Sequence, residues 1–283
     1  MKAILKFFVF TLLTYNSFEA KGVFIEAKDA VSIQGILSKE DLSDAVVVFD
    51  VDLVLMVLDC YAFSRCSFKS GLAKRLIDKI LKDCNISEDS EEYKNLMSNI
   101  LYDTKLVSEI IPVIIKDLQK KRVKVMGHTS REIGQYGEIA HQEDLVIKQL
   151  QSLEIDFSEV FNGKEIIVDN IKKKGKTYPL FKKGILFSGG GYSKGEVQKA
   201  FHEKIKWIPK RIVFIDDMDK NLHAVEDAMG LINVSVTSIH YTEVECKRCN
   251  EDAYKIKRAN FQVDWLIKTK KWIKDKEADL LLQ

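Results

Sequence analysis

The sequence has no surplus of charge: 44 lysines and arginines stand against 42 aspartates and glutamates, a formal net charge of +2. A global field of the kind that draws proteins to nucleic acid is thereby excluded. It has no internal repeat and no low-complexity segment, so solenoids and arrays are excluded as well. No apolar run reaches the ~20 residues that a membrane-crossing helix needs. Cysteine is sparse and odd in number, at Cys60, Cys66, Cys84, Cys246 and Cys249. Cys246-Lys247-Arg248-Cys249 has the spacing of half a zinc site, but no second Cys or His pair follows it. A structural or partly disulfide-bonded role is the better reading.

What is present is an ordinary globular chain. Its 283 residues, 46% of them hydrophobic, are enough for one large or two smaller cores. Local basic runs at Lys172-Lys173-Lys174 with Lys176, at Lys182-Lys183 and from Lys268 to Lys276 read as solvated faces. At the N-terminus, Lys2 and Lys6 precede Phe7-Phe8-Val9-Phe10-Thr11-Leu12-Leu13, and polar residues lead on to Ala20. This is the layout of a secretory signal peptide over residues 1–20, although Phe18 departs from the small-residue preference before the cut. It predicts an exported chain, periplasmic or secreted, with no transmembrane anchor after cleavage.

Strand and helix patterns alternate along the rest. A short strand near Val23–Ala27 and a helix precede Ala45-Val46-Val47-Val48-Phe49-Asp50, an apolar run that reads as a buried parallel strand. A long helical tract follows from Tyr61 to about Leu118, with Leu72, Leu76 and Ile80, then Ile110, Ile111, Ile114, Ile115 and Leu118, at helix spacing and Pro112 interrupting the last run. Further strands are expected at 123–127, 165–168, 184–188, 211–215 and 232–236, with helices at 142–152, from Ser193 through Phe201 and from near Asn221. Such alternation predicts an α/β protein with a mostly parallel sheet and helices on both faces.

Three of these strands end in polar clusters: Asp50 with Asp52, Thr129 with Arg131, and Asp216 with Asp217. If the strands are parallel, the clusters meet at the carboxyl edge of the sheet, where ligands bind in open α/β folds. Two carboxylates one residue apart repel, and either a bound cation or a retained proton relieves them. The set suits phosphoryl transfer. One carboxylate attacks phosphorus, a second acts as acid and then base, a hydroxyl and a lysine hold the phosphoryl oxygens, and an oxygen-rich shell holds a hard divalent cation.

In this order the motifs resemble the four signatures of the haloacid dehalogenase-like (HAD) hydrolases, over residues 45 to 222. The layout is similar to secreted acid phosphatases and closer still to a group of bacterial HAD-like proteins that carry a domain of unknown function. The resemblance implies a Rossmann-like three-layer core over residues 21–283, with a helical cap inserted at about 55–109 that sets substrate choice. It implies Asp50 as nucleophile, Asp52 as acid/base, Thr129 and Lys194 as phosphate binders, and Mg²⁺ held by Asp50, Asp216, Asp217 and the Asp52 backbone carbonyl. The expected activity is Mg²⁺-dependent hydrolysis of a phosphomonoester, on a phosphorylated small molecule or a phosphoprotein. Because both Asp50 and Asp52 are retained, hydrolysis is favoured over dehalogenation.

Several residues remain open. Arg131 suits either a bidentate phosphate contact or a surface ion pair. Asp219 or Asn221 suits a residue orienting a metal ligand, and His128 reads as a polar strand-end residue rather than a catalytic one. The long segment between Arg131 and Lys194 leaves Lys172, Lys173, Lys174, Lys176, Lys182 and Lys183 as rivals of Lys194. A phosphorelay receiver domain would place its acidic pair first rather than last, and a metal-dependent sugar transferase would leave Asp216 and Asp217 idle. The remaining alternative is an exported, non-catalytic HAD-like binding or interaction protein.

Overall fold

The computed structural model describes residues 22–246 and 252–283. The predicted signal peptide at 1–20 lies outside them, and so does Cys249, half of the Cys246–Cys249 pair.

Eight strands form one sheet in the order β1 (Val23–Ala27), β10 (Ser235–Tyr241), β9 (Arg211–Asp216), β2 (Ala45–Asp50), β5 (Lys124–Thr129), β8 (Ile185–Phe187), β7 (Leu180–Lys182) and β6 (Ile166–Ile167). The first six are mutually parallel, and β7 and β6 continue the edge as an antiparallel meander. A small antiparallel pair, β3 (Met56–Leu58) with β4 (Thr104–Leu106), stands apart.

β2 is buried along its whole length and shows why the chain layers. Successive side chains of a strand point to opposite faces. Val47 and Phe49 therefore enter a cluster with α1 (Ala30–Leu37), α5 (Ile111–Lys120) and α6 (Gln142–Ser152). Val46 and Val48 enter another with α7 (Lys194–Ile205) and α8 (Asp219–Gly230). The result is a Rossmann-like three-layer α/β core, as the alternating pattern predicts.

The stretch read as one helical tract is not one. It divides into α2 (Arg65–Lys69), α3 (Leu72–Cys84), α4 (Glu91–Ser98), a short 3₁₀ turn over Asn99–Tyr102, β4 and α5, with β3 just before it. Gly71 and Asn85 bracket α3 in the left-handed region and close it at both ends. Pro112 lies in the first turn of α5, where its missing N–H costs nothing, and so starts the helix rather than interrupting it. The apolar residues of α3 and α4 make a third cluster with Ala259, Val263 and Leu266 of α10 (Ala253–Thr269), which follows the short α9 (Glu243–Cys246). The terminal α11 (Asp275–Leu281) is tied to α10 through Arg258, whose guanidinium reaches Asp275 and Asp279. The inserted helices thus pack on the C-terminal ones, 150 residues and more away in sequence.

Two other boundaries differ from expectation. β10 begins at Ser235, because Ile232 and Asn233 close a turn on Met229 and Gly230 with Asn233 at φ 58°. Between Arg131 and Lys194 the third parallel strand is β8, with 166–167 and 180–182 as its antiparallel extension. No described helix is long and apolar enough to cross a membrane.

Candidate active site

The parallel registers bring the motif residues together. Asp50 closes β2 opposite His128 of β5, and Phe49 pairs with Ile215, which puts Asp216 at the same edge. Lys194 opens α7 just beyond β8. The Ser193 hydroxyl caps the Glu196 N–H and the Glu196 carboxylate reaches back to the Ser193 N–H, so this helix end is fixed by a capping box. A Cβ on Gly195 would come within 1.8 Å of the Ala224 carbonyl oxygen of α8. Only glycine lets α7 and α8 approach this closely beside Lys194.

Lys194 Nζ lies 2.6 Å from Asp50 Oδ1 and 2.7 Å from Asp216 Oδ2, and its side chain is only 2% exposed. Burial works against this ammonium, but Asp50 and Asp216 outweigh it and its pKa stands above the ordinary lysine value. Asp216 is held further by the Met218 N–H at 2.9 Å and the Asn221 amide at 3.0 and 3.2 Å. Asn221 is thus the residue that orients Asp216, whereas Asp219 is exposed and pairs with His240 at 3.1 Å.

Carboxylate oxygens of Asp50, Asp216 and Asp217 lie within 4.8 Å of one another. Burial pushes the Asp50 carboxyl well above the usual carboxylate range, Lys194 pulls it back, and Asp216 and Asp52 push it up again. Asp217 is raised to about 6 by burial and by Asp216, against the pull of Arg65 and Lys194. Its Oδ2 is buried with no hydrogen-bond partner. Lys194 is thus paired with two of the three carboxylates, and an oxygen-only donor set with one buried, unpartnered oxygen fits a hard divalent cation such as Mg²⁺.

The Asp52 carboxylate lies outside that group. It accepts from Arg131 Nη2 at 2.6 Å and Nε at 3.0 Å, and from the Thr129 hydroxyl at 3.3 Å. Thr129 Oγ1 in turn accepts from the Arg131 N–H at 3.1 Å. Arg131 also donates to Gln149 Oε1 at 3.3 Å, and the Gln149 amide is anchored on the Leu101 carbonyl, at the foot of the inserted helices. His128 is buried, bonds Ser188 Oγ at 2.6 Å and meets Phe214 edge-on. Burial, with Lys194 nearby, keeps its pKa well below the ordinary value, so it is neutral.

The rival lysines stand elsewhere. Lys174 pairs with Glu196 and Lys182 with Asp144, while Lys172, Lys173, Lys176 and Lys183 are exposed. Residue-by-residue reading missed a buried polar pair further along α7. Gln198 and His202 repeat at four-residue spacing on the same face of α7, where Gln198 contacts His202 at 3.0 Å and His202 Nδ1 donates to the Trp207 carbonyl at 3.1 Å. That spacing was available as a signal. Gln149 carried none.

The fold and site define a Rossmann-like α/β protein with a carboxylate cluster at the carboxyl edge of its parallel sheet. The chain belongs to the family described as protein of unknown function (DUF2608), which matches residues 26–279. It is similar to an uncharacterised protein of Rickettsia conorii, 25% identical over 94% of this chain and 92% of the relative. A Rickettsia bellii protein is 26% identical over 70% and 68%, and a Rickettsia felis protein 24% identical over 62% and 61%. No solved structure matches the chain significantly.

Proposed function

We propose that the protein is a Mg²⁺-dependent phosphomonoesterase of the haloacid dehalogenase-like type that works through an aspartyl-phosphate. The observation that carries this reading is the buried Lys194 ammonium shared by Asp50 and Asp216, with the unpartnered Asp217 oxygen beside them. Asp50 attacks phosphorus and the ester oxygen departs with a proton from Asp52. Water then attacks the aspartyl-phosphate, and Asp52 takes the proton back. Thr129 and Lys194 hold the phosphoryl oxygens as charge builds on them. Mg²⁺, when held by Asp50, Asp216, Asp217 and the Asp52 carbonyl, supplies the charge that lets an anionic nucleophile meet an anionic substrate.

The inserted helices serve as a cap that selects a phosphorylated small molecule or a phosphoprotein. No nucleic-acid substrate is proposed. The basic and apolar N-terminus supports export to the periplasm or beyond. One observation favours the non-catalytic alternative: the Asp52 carboxylate is engaged at both oxygens by Arg131.

Hydrolysis of p-nitrophenyl phosphate by the purified protein decides between them. Turnover should require Mg²⁺, and Asp50→Asn should lower kcat by about 10⁴-fold or more while the protein stays folded by circular dichroism. Activity surviving that substitution would remove Asp50 as nucleophile. Absence of turnover over a broad phosphate-ester panel, together with no Mg²⁺ binding by calorimetry, would favour the interaction protein.

A further inference from the structure

Asp52 is the residue on which the proposed chemistry and the geometry disagree. An acid/base must offer an oxygen to the leaving group, yet both oxygens of Asp52 accept from the Arg131 guanidinium, and Oδ2 also accepts from Thr129. The donors gathered on it are the kinds that bind phosphate. A guanidinium fork matches a carboxylate and a phosphate equally well in shape, and a doubly charged phosphoryl group attracts it more strongly. The Arg131 side chain is 21% exposed, so solvent and solutes reach it, and its second amino group is steadied by Gln149.

We propose that Arg131 is a phosphate ligand held in reserve by Asp52, and that an incoming phosphoryl dianion exchanges with the Asp52 carboxylate on the guanidinium. The exchange places Arg131 on the substrate and frees both Asp52 oxygens, so that Asp52 takes up a proton from solvent and then gives it to the leaving ester oxygen. The ion pair that argues against catalysis becomes a latch that anionic substrate opens. This rests on the phosphatase reading, to which it adds a substrate-binding residue and a reason for Asp52 to stay inactive until substrate arrives.

Binding of inorganic phosphate with Mg²⁺ present, followed by calorimetry, tests the exchange without turnover. Asp52→Asn removes the competitor and should tighten phosphate about tenfold, the scale of one charge-assisted hydrogen bond. In an Arg131→Gln background the same substitution should change affinity by only about twofold. Arg131→Lys, which keeps the charge but cannot grip both oxygens, should fall between and serves if the glutamine variant is poorly folded. Equal tightening by Asp52→Asn with and without Arg131 would mean that Asp52 acts by charge alone, and the latch would be overturned with the phosphate site intact. No change on Asp52→Asn would overturn it too. Failure of both the wild type and Asp52→Asn to bind phosphate would bring down the phosphatase reading as well.

Discussion

Two groups of metal-ligating side chains occur among the described residues, and only one has the makings of a site. The first is Asp50, Asp216 and Asp217, and the second is His141, Glu143 and Asp144. In the second every carboxylate is accounted for. Glu143 accepts from the Gly134 N–H at 2.7 Å and faces His141 at 3.4 Å, while Asp144 pairs with Lys182 at 2.8 Å. Glu143 and Asp144 lie in the first turn of α6, where a helix favours negative charge. They need no ligand. In the first group all three carboxylates are buried, Lys194 pairs with only two of them, and a buried Asp217 oxygen has no hydrogen-bond partner. The difference teaches that the closeness of acidic groups carries little, and that unbalanced buried charge carries much.

This contrast can be broken experimentally. The largest effect is expected at Lys194. Lys194→Met leaves Asp50 and Asp216 buried without their cation and should cost about 3–5 kcal/mol of stability, read by urea unfolding without Mg²⁺. An unaffected midpoint would show that the first cluster is no more strained than the second.

Next comes the buried polar pair Gln198 and His202 on α7. Burial lowers the His202 pKa to about 4, against the hydrogen bond to the Trp207 carbonyl. The unfolded chain, near the ordinary value of about 6.5, takes up a proton that the folded chain refuses. Stability from this group is therefore complete above about pH 6.5 and is lost as pH falls toward 4, by roughly 3 kcal/mol. His202→Asn should flatten that fall when urea midpoints at pH 7 and pH 4.5 are compared. An equally steep fall in the variant would place the acid sensitivity elsewhere.

Metal binding gives a smaller effect and a sharper contrast. Asp217→Asn should weaken Mg²⁺ about 10–100-fold by calorimetry, whereas Asp144→Asn should leave Mg²⁺ affinity as it is. The reverse result would assign the cation to the second cluster.

Much of the fold was legible because the relevant forces are local. The apolar run at 45–50 announced a buried strand, and the spacing of Ile111, Ile114, Ile115 and Leu118 announced α5. Asp50, Asp216, Asp217, Thr129 and Lys194 could be nominated because the carboxyl ends of parallel strands and the helix start beside them share one edge. The β3–β4 pair escaped notice because its strands are three residues each and separated by about 45 residues of helix-rich chain. The union of the inserted helices with α10 escaped for a similar reason: an amphipathic face shows that something covers it, not what. Arg131 was left between phosphate ligand and surface ion pair, and its actual partner, Asp52, lies 79 positions away.

The sequence by itself determined the α/β alternation, the buried central strands and the polar side chains that end them. These follow from periodicity and residue type, which are properties of short segments. Only the tertiary structure decided the partners: that Lys194 rather than any of six other lysines reaches Asp50 and Asp216, that Asp217 keeps an unpartnered oxygen, and that Asp52 is held by Arg131. Pairing and desolvation depend on which distant segments meet, and strand order and helix packing settle that.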